Sequence, residues 1–115
     1  YYTYWEYDTD TSLLTLAIRN SAGSLVSTGL PIIAASCDAG SELLLDNAAT
    51  SAPRKWSLPI GDGVNAEAAI RSVECDNMVM TNDNGNYTAG NAILLTANQG
   101  SGALSQTWLM GRDLL

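Results

Sequence analysis

Histidine is missing from all 115 residues. The chain therefore lacks the side chain that most often acts as a general base near neutral pH and most often ligates a metal. Two cysteines are too few to hold zinc or an iron–sulfur cluster by themselves. Ser and Thr are plentiful, but no His stands ready to activate one as a nucleophile. Basic residues are scarce too: five Lys and Arg face twelve Asp and Glu, for a net charge of −7. That balance argues against nucleic acid and against an anionic membrane surface, since both need clustered cations. No apolar run approaches the ~20 residues of a membrane span. No enzyme activity, metal or cofactor is expected from such a chain.

What is present points to one class. Gly, Ser, Thr and Asn number 10, 11, 10 and 9, while charged residues are only 15% of the chain. An average soluble domain carries roughly 25% charge. Helical proteins lean on Glu, Lys, Arg and Gln, so this composition reads as a single all-β domain of short strands over residues 1–115. The first residue is Tyr1 rather than Met, which fits either a removed segment or a start within a longer precursor. Asn86-Tyr87-Thr88 is a glycosylation sequon in a polar stretch. Cys37 and Cys75 are expected either as a disulfide or as two buried thiols. The sequon and a disulfide together would indicate a secreted protein.

An internal repeat organises the chain. Ile18-Arg19 is followed 38 residues later by Trp56, and Ile70-Arg71 is followed 38 residues later by Trp108. Both ends share an offset of 52 residues. Glu42-Leu43-Leu44-Leu45 corresponds loosely to Ala92-Ile93-Leu94-Leu95. The copies span about 6–58 and 59–110, and Trp5, within 1–5, reads as the closing Trp of an incomplete copy. The pattern predicts strands over 13–19, 24–28, 32–36 with 42–45, and 54–58. In the second copy it predicts 68–73, 77–81, 91–96 and 106–110. Turns are expected at Gly61-Asp62-Gly63, at Asn82-Asp83-Asn84-Gly85 and at Gly100-Ser101-Gly102.

The second copy runs from Ile70-Arg71-Ser72-Val73, through Gly90-Asn91-Ala92-Ile93-Leu94-Leu95, to Gln106-Thr107-Trp108. This resembles a subdomain of the ricin B-type β-trefoil family, and Gln106-Thr107-Trp108 matches that family's Gln-x-Trp motif in full. Arg54-Lys55-Trp56 keeps only the Trp. The first copy adds Ile18-Arg19-Asn20 and Gly29-Leu30-Pro31-Ile32-Ile33 in the same style. The resemblance implies a β-trefoil-like fold with two complete repeats and the end of a third. It also implies that Trp5, Trp56 and Trp108 fill a shared core while Gln106 satisfies backbone groups beside it. A threefold closure needs one more Ile-to-Trp block than the chain contains. A second polypeptide or a homo-oligomer is therefore the expected partner.

Sugar-binding members of the family suggest a lectin-like protein that binds a glycan. Neither copy carries the family's Asp at the start of its second strand: Asn77-Met78-Val79-Met80 and Ser24-Leu25-Val26-Ser27 stand there. The candidate site is instead a displaced polar cluster of Asp83, Asn84, Asn86, Tyr87 and Asn98. Its carboxylate and amides would bond sugar hydroxyls while Tyr87 stacks on a ring face. The competing reading is an ordinary solvated hairpin. The tyrosines Tyr1, Tyr2, Tyr4 and Tyr7 are expected as strand-edge packing. Asp8 with Asp10, and Glu74 with Asp76, read as solvated turns rather than a glycosidase pair. Asn82-Asp83-Asn84-Gly85 lacks the closing Glu of a calcium loop. The alternative functions are a β-trefoil protease inhibitor of the fungal type and a structural or assembly subunit.

Overall fold

Residues 4–47, 51–58, 66–86, 88–100 and 103–110 are described by a computed structural model. Among them the chain forms ten strands and no α-helix. These are β1 (Tyr4–Asp8), β2 (Leu13–Arg19), β3 (Leu25–Ala34), β4 (Ser41–Leu45) and β5 (Trp56–Ser57), then β6 (Ala66–Ala68), β7 (Arg71–Ser72), β8 (Met78–Asn82), β9 (Ile93–Ala97) and β10 (Trp108–Met110). Eight pair antiparallel in the order β1-β2-β3-β4-β9-β8-β7-β5, and β6 pairs with β10 as a separate ribbon. The fold is all-β, a curled sheet that makes half a barrel.

The curl is visible in the bonds. β5 ends the sheet opposite β1, yet Trp56 N donates to Ser12 O at 2.9 Å, beside a bridge between Leu13 and Lys55. The Tyr7 hydroxyl donates to Trp56 O at 2.6 Å. β5 therefore comes against the β1–β2 corner, around one core. Leu14, Ala34, Trp56, Ile70, Cys75, Met78, Met80 and Leu95 fill it, with Tyr7, Ile32, Leu43, Ile93 and Trp108 packed against it.

Strand alternation explains which residues enter. β8 is the exception, because Met78, Val79, Met80 and Thr81 are all buried. Met78 and Met80 point to the core, while the opposite face lies under the 3-10 turn Leu104–Gln106. Gln106, 2% exposed, is fully used there. Its Nε2 donates to Thr96 Oγ1 at 3.0 Å and to Ala97 O at 2.8 Å, and its Oε1 accepts from Gln99 N at 2.9 Å. A buried amide with all these bonds costs nothing in unpaired groups.

Two indoles do parallel work. Trp56 Nε1 donates to Ile32 O in β3 at 2.9 Å, and Trp108 Nε1 donates to Met80 O in β8 at 3.1 Å. Trp5 departs from the expected core role. It is 44% exposed while Trp56 is 1% exposed. The reason is its place on β1, an edge strand. It pairs with Leu16, one step beyond the Tyr7–Leu14 pair at which the core ends.

Other differences from the sequence reading also have physical causes. The strand expected at 13–19 is found with those bounds, whereas those expected at 24–28 and 32–36 are one bent strand, β3. Its register against β2 shifts between Thr15 and Ala17. Gly29 (φ 73°) supplies the left-handed residue of this bulge, and Thr28 Oγ1 bonds Leu16 O across it at 2.7 Å. Bulge residues imitate a turn in sequence. The expected strand 68–73 divides between β6 and β7, which belong to different sheets. Cys37 and Cys75 form a disulfide, so the two-thiol alternative is set aside. It ties the β3–β4 connection to the β7–β8 connection across 38 residues.

Candidate functional site

The β8–β9 hairpin carries the candidate residues. Its register runs from Met78 opposite Ala97 to Asn82 opposite Ile93. At its tip Asp83–Gly85 forms a 3-10 turn, with Asn84 at φ 53° and Gly85 at φ 64°. Both angles lie in the left-handed region, where Gly and Asn are the residues that fit at least cost. The sequence Asn-Asp-Asn-Gly thus bends the chain here because its chemistry suits the bend.

Two other asparagines hold the tip in shape. Asn91 Nδ2 donates to Asn82 Oδ1 at 2.5 Å and to Asp83 O at 2.9 Å. Asn82 Nδ2 donates to Asn86 O at 2.9 Å. Backbone bonds from Asp83 N to Ala92 O and from Asn86 N to Asp83 O complete the brace. The turn also lies beside the 104–106 turn, with Gly85 facing Ser105. These bracing roles of Asn82 and Asn91 were not read from sequence. The density of Asn on both sides of the turn is the signal that could have shown them.

The outward polar atoms are arranged differently. Among the described residues, the Asp83 carboxylate and the Asn84 side chain have no hydrogen-bond partner, and Asn84 is exposed. Asn86 Oδ1 accepts from Thr88 N at 3.0 Å and from Thr88 Oγ1 at 2.7 Å, which leaves its Nδ2 to solvent. The tip therefore offers a carboxylate, a whole amide and an amide NH2 within four residues. Tyr87, expected as the stacking ring, lies outside the described residues.

Asn98 does not join this group. Its backbone N donates to Asn77 O, and its Oδ1 caps Gly100 N at 2.9 Å. It thus sits at the base of the hairpin, about 20 Å from the tip at ~3.4 Å per strand residue. Antiparallel pairing is the reason: residues distant in number on β9 meet the start of β8, not its end.

Elsewhere the carboxylates serve turns. Asp8 Oδ1 accepts from Asp10 N at 2.8 Å, and Glu74 Oε1 accepts from Arg54 N at 2.7 Å and Lys55 N at 2.9 Å. Among the described residues no three of His, Cys, Asp or Glu come together as a metal-binding group, and no helix is long and apolar enough to cross a membrane. No protein-family model matches the chain, and comparison with curated proteins and with solved structures finds no significant match.

Proposed function

We propose that this chain is a secreted, non-enzymatic carbohydrate-binding protein with a β-trefoil-like plan, and that it holds a glycan through Asp83, Asn84, Asn86 and Tyr87. The repeated plan is supported by the paired indole bonds, Trp56 to β3 and Trp108 to β8, each to the first strand of a hairpin. The disulfide is compatible with an extracellular setting.

One observation carries the binding reading: the tip's backbone is braced by Asn82 and Asn91 while the polar atoms of Asp83, Asn84 and Asn86 Nδ2 are left for a ligand. A carboxylate accepts from vicinal hydroxyls and an amide both donates and accepts, which matches a sugar's alternating groups. Because the brace already holds the loop, ordering it on binding costs little. A glycan array screened with the intact chain, and then with Asp83→Ala and Tyr87→Ala, tests the reading. Binding lost in both variants with an unchanged melting temperature supports it. Unchanged binding in both would place any glycan site elsewhere.

The protease-inhibitor alternative has less support. An inhibitory loop that enters a cleft as an extended strand needs β-region backbone, and the left-handed Asn84-Gly85 counts against this tip as such a loop. Titration against a panel of proteases separates the two functions.

A further inference from the structure

Three of the large apolar residues exposed on the described surface lie together at one end of the sheet. Trp5 is 44% exposed, Ile18 52% and Val26 42%. Trp5 pairs with Leu16 and Ile18 with Val26, so all four share the face of β2 on which Leu14 enters the core. β1 ends the eight-stranded sheet, so one side of its backbone has no strand beside it among the described residues. Trp56 and Trp108 each donate an indole N–H to a strand carbonyl, and Trp5 has no such acceptor among the described residues. An edge of this kind, aromatic on one face, is a template for another strand.

The charge pattern of β1 says which strand. We propose that β1 is a dimerisation edge, on which a second copy of this chain lays its own β1 antiparallel about a twofold axis at Trp5. In that register Trp5 faces Trp5 of the second copy on the apolar side. On the other side Tyr4 faces Glu6 of the second copy. The Arg19 guanidinium lies 4.7 Å from the Tyr4 ring centroid, and its Nε donates to Tyr4 Oη at 3.1 Å. Each Arg19 is thereby brought beside a Glu6 carboxylate of the other copy, and the twofold makes this happen twice. Two registers further along β1 are excluded by repulsion. An axis at Glu6 sets the two Glu6 carboxylates opposite one another, and an axis at Tyr7 sets Glu6 opposite Asp8. Like charges directly opposed across strands destabilise a pair. The twofold closes on itself, so association stops at two chains.

Sedimentation equilibrium of the 115-residue chain, over about 1–100 µM, tests this because dimer population follows concentration. The expected result is a mass that rises with concentration from 12.1 kDa to twice that value. Trp5→Ser and Glu6→Lys should each weaken association at least about tenfold while the dilute protein melts as the parent does. Leu104→Ser, at a residue 78% exposed on another part of the surface, should leave association unchanged. A 12.1 kDa species at every concentration would overturn the proposal. So would a dimer indifferent to both β1 variants, or growth beyond two chains.

Discussion

Trp56 and Trp5 sit in comparable places and meet opposite fates. Each lies in a short strand that pairs antiparallel with a later one, Trp56 with Ser72 on β7 and Trp5 with Leu16 on β2. Trp56 is 1% exposed, its indole bonded to Ile32 O, its own N to Ser12 O and its own O to the Tyr7 hydroxyl. Trp5 is 44% exposed. The same side chain in the same local setting is core in one case and surface in the other. The difference is the neighbour: the sheet curls back over β5 through the Ser12–Leu13 corner, and no strand among the described residues flanks the outer side of β1. Local sequence therefore places each Trp in a short strand. Burial depends on what closes over it.

The largest test of this contrast is truncation at both positions. Trp56→Ala should cost about 3–5 kcal/mol of unfolding free energy. Trp5→Ala, measured in protein dilute enough to be monomeric, should cost less than about 1 kcal/mol. Equal losses in urea titrations would break the comparison.

Next in size is the disulfide, which ties the β3–β4 connection to the β7–β8 connection. Replacing both Cys37 and Cys75 by Ser should remove about 2–4 kcal/mol, from the loop entropy returned to the unfolded chain. Differential scanning calorimetry of the two forms gives the value, and an unchanged melting temperature would mean the sheet holds together without it.

Gln106 tests the cover over β8. Gln106→Ala leaves Thr96 Oγ1, Ala97 O and Gln99 N short of partners. About 1–3 kcal/mol should be lost, and the Gln99 amide should exchange faster with solvent. Exchange at the parent's rate would show that the side chain is not what shields that amide.

The smallest expected effects are at the hairpin tip. Asn91→Ala removes two bracing bonds and should cost about 1 kcal/mol. It should also loosen the tip, visible as lower order parameters at Asn84 and Gly85. Asp83→Ala should change stability by no more than about 0.5 kcal/mol, because its carboxylate has no partner among the described residues. A larger loss would mean that this group serves the fold rather than a ligand.

Parts of this arrangement were legible residue by residue. β2 was readable because Leu14, Leu16 and Ile18 alternate with Thr15, Ala17 and Arg19. The tip was readable because Asn and Gly are the residues that accept left-handed backbone. β3 was misread as two strands because Gly29 and Pro31 break an apolar run whether the chain turns back or merely bulges. β1 was not assigned as a strand, since its aromatic and acidic residues read equally as edge packing or a turn. The candidate cluster gathered Asn98 with Asp83 by nearness in number, although hairpin pairing sends them to opposite ends.

The sequence by itself determined the all-β class, the turn at Asn82–Gly85 and the lack of histidine, because composition and local backbone preference act on a few adjacent residues. Only the tertiary structure decided that Cys37 meets Cys75, that β8 is covered on both faces, and that Trp56 is buried while Trp5 is not. Each of these depends on contacts between segments far apart in the chain. Such contacts arise from how the sheet curls and which strand lies next to which, and no local pattern carries that information.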